Sequence, residues 1–474
     1  MENKSKLAVD LTRRDMLRYG FLGSVLAGLP PSLWLTGCNR ISRKKRPNIF
    51  LISVDTLRPD HLGCYGYSRN TSGNIDLFAK DGLLFENCFS HAPNTWSSCA
   101  SMLTGFLPHE AKILNPHVTL QSGVRTLPEI LEQQGYTSIA VVSNYVLRKG
   151  QGFEQGFKIY DDSMNEQGMG RNIPERIAEH TTAQAIELLT RFSKDQLFMW
   201  IHYQDPHGPY TPPERYTSLF LDPDQKPRHL KLSSSLSGRG AIPSYQQLGS
   251  NRDYNYYVSQ YNGEIRYVDE NFQRFIDTLK NLGLYDNSLI IFTSDHGEDL
   301  GEHDYFFTHG ENLYNSLIRV PLIVKYGDTL AGRRKDFVQH LDILPTIYNI
   351  LDMKPDAPFR GGDLREQQQG HREIISEMNS LLVDNEFRFS IINNGLKLIY
   401  TPLYKQFQMF DLKVDINEEK NLINRPDYKG QVLDLNKRLE RAIKEDPLKL
   451  KKTLKPKELT EEEIKNLKSL GYVQ

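Results

Sequence analysis

The sequence predicts an α/β fold: a mainly parallel central sheet with helices on both faces, then a small C-terminal α+β subdomain with a short antiparallel sheet. Three observations carry that prediction. Two apolar, β-branched runs, Asn48–Asp55 and Ser288–Asp295, each end abruptly in a carboxylate. Buried parallel strands read this way when they deliver an acidic group to the carboxyl edge of a sheet, where open α/β folds build their sites. Apolar runs alternate with amphipathic stretches from about Arg46 to Tyr326, which implies right-handed crossovers and helices on both faces. After about residue 370 the runs become short and closely spaced, as in an antiparallel sheet.

The first 38 residues belong to another class. Arg13 and Arg14 precede a mildly apolar stretch from Tyr19 to Leu35, which ends in Leu35–Cys38. Paired arginines before a short apolar region read as a twin-arginine export signal. The ending resembles a bacterial lipobox, with Cys38 as the residue lipidated after cleavage. The alternative is an anchor helix, but a span of roughly 20 residues interrupted by Pro30 and Pro31 crosses a membrane poorly. Residues 39–46 form a basic linker, Arg43 to Arg46, suited to anionic headgroups or simply solvated. The expectation is an exported periplasmic or cell-envelope lipoprotein of a bacterium, held at the membrane by its lipid.

Residues 47–369 are expected to form the catalytic domain. Its strands are predicted at Asn48–Asp55, Tyr136–Ser143, Leu197–Gln204, Leu289–Asp295 and Val320–Tyr326. Its helices are predicted at Thr126–Gln134, with Pro128 in the first turn, at Glu175–Ser193 and at Asp269–Leu282. The polar, serine-rich stretch Asp222–Asn251 reads as a mobile surface loop, either covering a site or inert. In residues 370–474 the strands are expected at Glu386–Ile392, Leu396–Tyr400 and Phe407–Leu412. Helices follow at Val432–Lys444 and Thr460–Leu467, the latter behind an acidic start that favours a helix amino end.

Lys and Arg number 58 against 59 Asp and Glu, for a formal net charge of -1; nothing in that balance argues for nucleic acid. With Cys38 set aside, the odd trio Cys64, Cys88 and Cys99 allows at most one internal bridge. None has metal-finger spacing, and they read as buried apolar residues.

Two strands ending in Asp55 and Asp295, the second followed at once by His296, suggest a metal site assembled from distant parts of the chain. A second cluster, His202, Asp205 and His207, lies at another strand end. His202 is read there as structural, His303 as a supporting residue, and Tyr203, Tyr210 and Tyr216 as packing or as the mouth of a site. The remaining acidic residues are read as solvated faces. Between the Asp strands, Ala92–Gly105 is a loop entering a helix, where hydroxyls ordinarily act as caps.

In that setting Ala92–Gly105 resembles the nucleophile region of the sulfatase family, within the alkaline-phosphatase superfamily. Asp55–Gly66, Tyr261–Asp269, Ser294–His303, His340–Thr346, Met409–Leu412 and Asn417–Leu422 resemble further family motifs in the family's order. The resemblance implies the alkaline-phosphatase-like fold. Sulfatases carry a Cys or Ser, converted to formylglycine, at the head of a Cys/Ser-x-Pro-x-Arg motif. Counted back from Leu103–Gly105, that head falls on Thr95, the Pro position on Ser97 and the Arg position on Cys99. Threonine is not a formylglycine precursor; phospho-group enzymes of the superfamily instead use a hydroxyl nucleophile acidified by a cation. Zinc takes bound water from a pKa of ~15.7 to about 7, and an alcohol should respond similarly. Attack would leave a covalent phospho-threonine.

The resemblance assigns Asp55, Asp295, His296 and Thr95 to one cation. Asp205, His207 and His309 either complete a second or, for the histidines, only hydrogen-bond the transferred group. Zinc is expected, in one or two ions, with manganese or calcium as alternatives. Thr56 stands where calcium-binding sulfatases carry a second Asp, and Asn144 resembles a substrate-binding Asn of phosphodiesterase relatives or is a turn residue. The expected function is exported, metal-dependent hydrolysis of a small-molecule, glycan or lipid ester, with phosphoryl or phosphonate esters favoured over sulfate. The alternatives are a phosphoethanolamine-type transferase on envelope glycolipids and an inactive binding lipoprotein.

Overall fold

In the computed structural model, eight strands make the main sheet, and we number them in chain order. They are β1 (Asn48–Val54), β2 (Leu83–Phe89), β3 (Thr137–Val142), β4 (Ile159–Asp161), β5 (Leu197–Tyr203), β6 (Ser288–Ser294), β7 (Arg319–Tyr326) and β8 (Gly332–Gln339). Their order across the sheet is β8-β2-β7-β6-β1-β5-β3-β4. Only β7 runs against its two neighbours. The structure describes residues 46–114, 118–164, 166–167, 174–327, 330–355, 358–367, 372–380, 386–448 and 460–470. Cys38, the export signal and most of the basic linker lie outside them.

The α/β class follows from how β1 is buried. Ile49 and Leu51 pack into one apolar cluster, while Phe50, Ile52 and Val54 pack into another on the opposite face. A strand apolar at every position needs cover on both sides, and helices supply it. On the first face lies α2 (Thr95–Thr104), all ten of whose residues are buried. On the second lie α1 (Gly73–Lys80), α4 (Ala178–Arg191) and α5 (Tyr254–Asn281). The short α3 (Leu127–Glu132) joins the first face.

A separate antiparallel sheet has four strands: β9 (Ile374–Asn379), β10 (Phe387–Asn393), β11 (Leu396–Thr401) and β12 (Gln406–Asp411). Leu435, Leu439 and Ala442 of the helix Lys429–Ala442 pack on Ile391, Leu398 and Met409. A last helix, Glu461–Ser469, carries a capping box between Thr460 and Glu463. The chain from Pro47 onward forms one compact unit. Among the described residues no helix is long and apolar enough to cross a membrane.

Several elements depart from the sequence reading, which also names no strand at Ile159–Asp161 and no helix at Gly73–Lys80 or Ile343–Ile350. β2 carries Glu86 and Asn87 in mid-run, and β8 reads GRRKDFVQ, too charged for an apolar-run search; it is an edge strand, where charge is tolerated. β9 also went unread. Helix α5 begins fifteen residues before the predicted Asp269, because tyrosines and asparagines blur its first half. The stretch Asp222–Asn251 is laced down rather than loose. Lys231–Leu232 pairs with Ala241–Ile242, and Ser237 Oγ and Gly238 N–H donate to the Glu311 carboxylate at 2.6 and 2.7 Å.

Candidate active site

Register places the site. Val54 is level with Ser294 on one side and with Tyr203 on the other. Asp55, Asp295 and the Gln204–His207 turn therefore leave the sheet at the same edge. Val142 of β3 is level with His202, so Asn144 reaches the same edge. The loop after β1 is held by α5: the Tyr261 hydroxyl donates to Thr56 O at 2.7 Å and accepts from Arg58 N–H at 3.1 Å. Thr56 itself has φ 52, a left-handed conformation unusual for a β-branched residue. That turn aims its N–H at Asp295 Oδ1, 3.3 Å away. Gly297 is required by close approach, since a Cβ there would lie 2.0 Å from Ser316 O.

Thr95 is the first residue of α2, behind an Asn94 cap whose side chain accepts from Ser97 N–H at 3.0 Å. Its Oγ1 lies 3.4 Å from each Asp55 carboxylate oxygen and 3.2 Å from His296 Nε2. His296 Nδ1 faces Gly297 O at 2.8 Å; a carbonyl only accepts, so Nδ1 carries the proton and Nε2 turns a lone pair toward the cluster. Asp55, Asp295 and His296 bring ligand atoms within 4.8 Å of one another, all fully buried. Asn144 Nδ2 donates to Asp55 Oδ2 at 2.5 Å, and its Oδ1 accepts from Val146 N–H at 2.9 Å. Asn144 is thus both the turn residue and a hydrogen-bond donor to the key carboxylate.

The histidines wrap the opposite side. The His207 and His309 rings are 4.8 Å apart between centroids, as are the His296 and His309 rings. His207 Nδ1 donates to Gly208 O at 2.8 Å, and His309 Nδ1 lies 3.2 Å from Glu298 Oε1. Asp205 has another commitment: its Oδ2 accepts from Ala178 N–H at 2.7 Å, the first residue of α4. Two groups of converging ligand atoms occur among the described residues, Asp55/Asp295/His296 and Cys99/His202/Asp295. The set Asp205/His207/His309 is not one of them.

Burial works to raise the Asp55 carboxyl, but His207, His202 and His296 outweigh it and hold it well below the ordinary range. Asp295 is pushed up to about 8, first by burial and then by the charge on Asp55. Burial lowers His207 to about 4 against the pull of Asp55. It lowers His309 to about 3, assisted by His296. Burial also raises Glu298 to about 7.

Glu298 and Asp299 correct the reading of the leftover acids as solvated: both are fully buried. The signal was their place directly after Asp295–Gly297, at the end of a buried strand. Tyr203, Tyr210 and Tyr216 are buried packing. His303 lies off the cluster, stacked on Tyr314 with 3.6 Å between centroids. The three cysteines after Cys38 are free thiols, Cys88 and Cys99 buried and Cys64 half-buried.

Known proteins share this architecture. Residues 47–353 match the family described as Sulfatase, and residues 301–445 match one described as N-sulphoglucosamine sulphohydrolase, C-terminal. An N-acetylglucosamine-6-O-sulfatase of Bacteroides thetaiotaomicron is 23% identical, over 85% of this chain and 87% of that protein. A protein solved with its substrate D-glucosamine-2-N,6-O-disulfate superposes with a TM-score of 0.70 at 21% identity, covering 86% of this chain and 100% of the other. The phosphonate monoester hydrolase of Agrobacterium radiobacter superposes with a TM-score of 0.68 at 21% identity, covering 84% and 95%.

Proposed function

The chain belongs to the sulfatase family, an ester-hydrolysing enzyme, and from that premise we propose that Thr95 is its nucleophile and phosphoryl or phosphonate esters its preferred substrates. The observation that carries the proposal is the setting of Thr95 Oγ1, within 3.4 Å of both Asp55 oxygens and 3.2 Å of His296 Nε2. A formylglycine precursor is absent from that position, and Asp55, Asp295 and His296 surround it with carboxylates and an imidazole. The similarity to phosphonate monoester hydrolases supports the same direction.

The residues fit a divalent cation. Asp295 Oδ2 is fully buried and makes no hydrogen bond among the described residues, and two carboxylates share one desolvated edge. Asp55, Asp295, His296 and Thr95 would hold the ion, with zinc suited to the donor set and manganese or calcium as alternatives. Bound there, a cation would supply the positive charge that offsets the carboxylates and acidifies the Thr95 hydroxyl. The chain does the rest. Asn144 fixes Asp55, and Asp55 is the acceptor within reach of the hydroxyl proton. The Oγ1–phosphorus bond forms as the bond from phosphorus to the leaving alcohol breaks, giving a phospho-threonine that water then hydrolyses. His207 and His309, each tied at Nδ1, present Nε2 to the transferred group.

The test compares kcat/KM on matched aryl phosphate monoester, phosphodiester, phosphonate and sulfate esters for the wild type and Thr95→Ala. A phosphoryl preference, with a loss of at least about 10³-fold in the variant, is expected. Full turnover by Thr95→Ala, or faster sulfate hydrolysis by the wild type, refutes the proposal. The arginine pair and the Leu35–Cys38 ending support a cell-envelope location; Cys38→Ala should move the protein from the membrane to the soluble fraction.

A further inference from the structure

Cys99 stands one helical turn beyond Thr95 on the same face of α2. Its thiol meets His202, from β5, and Asp295, from the end of β6. All three side chains are fully buried, and their ligand atoms lie within 4.8 Å of one another. Neither His202 Nε2 nor Asp295 Oδ2 makes a hydrogen bond among the described residues. Leaving a buried polar atom unsatisfied costs about 1–3 kcal/mol; Asp295 Oδ2 is common to this group and the Asp55/His296 group, and His202 Nε2 is the atom particular to this one. Native cores do not leave such an atom without reason.

The surroundings say what is missing. His202 Nδ1 lies 2.8 Å from Ser53 Oγ, which also accepts from Trp200 Nε1–H at 2.9 Å. His202 Nε2 lies 3.5 Å from Asp55 Oδ2; in the tautomer whose Nδ1–H donates to Ser53, Nε2 carries the lone pair a cation needs. A lone pair, a thiol and two carboxylates converge, and among the described residues the ion-pair partners of Asp55 and Asp295 are histidines alone. The family resemblance puts an arginine at position 99; this chain replaces that cation with a cation ligand.

We propose that Cys99, His202 and Asp295 form a second cation site, a thiolate, imidazole and carboxylate set that selects zinc. Calcium and magnesium take oxygen donors, whereas sulfur with nitrogen is a zinc signature. Tetrahedral zinc spaces such ligand atoms roughly 3.3–3.8 Å apart, so closing the site asks for a shift of about 1 Å. Binding forms a zinc–sulfur bond and releases the thiol proton to solvent. Asp295 belongs to this site and to the Asp55/His296 group, so the two ions would share it. The inference does not depend on which ester is the substrate.

Zinc K-edge X-ray absorption of the full-length, zinc-loaded protein tests it, alongside zinc content per chain. A zinc–sulfur path at about 2.3 Å and two zinc ions are expected. Cys99→Ala and His202→Gln should each lower the count to one, the former also losing the sulfur path, while Thr95→Ala keeps that path. Absence of a zinc–sulfur path in the wild type overturns the proposal even if a variant fails to fold. A path that persists in folded Cys99→Ala overturns it equally.

Discussion

Replacing Asn144 by Asp probes a fully buried charge of the site, Asp55. The change is isosteric, and it puts a second acid 2.5 Å from Asp55 Oδ2, both positions being fully buried. At an effective dielectric of about 20, two unit charges at that spacing repel by roughly 6–7 kcal/mol. A lower-energy state exists in which the introduced carboxyl keeps its proton and donates to Asp55 as the amide does. Holding a proton at pH 7 on an acid whose unfolded pKa is about 3.9 costs about 1.36 kcal/mol per pH unit, or about 4 kcal/mol. The protonated state therefore wins and sets the ceiling. Because the folded pKa is raised above the unfolded one, the penalty vanishes below about pH 3.9 and grows as pH rises. Urea unfolding in chelator across pH 4–7.5 should show Asn144→Asp matching the wild type near pH 4 and about 4 kcal/mol weaker at pH 7. Taking the difference from wild type cancels the other titrations. Asn144→Ala removes the donor to Asp55 and the acceptor of Val146 N–H and should lose about 1–3 kcal/mol, with a shallower slope because it introduces no acid. A pH-independent Asn144→Asp difference would refute the picture of a desolvated, ionised Asp55.

Other positions give further expectations. Lys397 Nζ and Glu418 Oε1 form an ion pair at 2.6 Å with side chains 0% and 1% exposed; Lys397→Met should cost about 3–5 kcal/mol by stranding Glu418, and adding Glu418→Leu should restore much of it, as read by denaturant midpoints. Burial works to lower the His109 pKa, but its 2.5 Å contact with Glu377 prevails and raises it above 6.5. That stability is fully present below the unfolded pKa and is lost as pH climbs through the higher folded one, so Glu377→Gln should flatten the decline in unfolding free energy above about pH 6.5. Thr56→Asn keeps the N–H bond to Asp295 while placing a residue that tolerates φ 52; thermal unfolding should show a gain of about 1 kcal/mol, and a loss would mean that the threonine packing outweighs the strain.

The strands that build the site were legible because each ends an apolar run in a carboxylate, and register brings those ends level. That Thr95 meets Asp55 and His296 was legible only through its distance from Leu103–Gly105, since a hydroxyl at a helix start otherwise reads as a cap. Glu298 was not, because acidity alone does not separate a solvated residue from a desolvated one; that depends on the fold over it. The capping role of Asp205 was hidden for the same reason. Its helix partner, Ala178, is 27 positions away in sequence, and no local pattern announces that a carboxylate will cap another element.

The motifs that carried the family resemblance divide into two physical kinds. Asp55, Asp295 and His296 converge on the reacting edge. Asp269 instead accepts Asn74 and Ile75 N–H groups at 3.0 and 2.8 Å at the start of α1, Glu264 accepts Thr211 N–H at 2.8 Å, and His340 meets Thr293 Oγ1 at 3.0 Å. Those contacts are buried polar bonds between elements, and losing one partner strands the other. They constrain the scaffold, and none of them involves Thr95. Thr95, Ser97 and Cys99 sit on one turn of α2 whose backbone is held by Asn94 and by Ser98 Oγ donating to Asp295 O at 2.6 Å. Side chains at 95 and 99 can therefore change without moving the helix. This separation would let a sulfatase scaffold carry the proposed threonine–cysteine pair, and the zinc–sulfur measurement reads the cysteine half of that proposal.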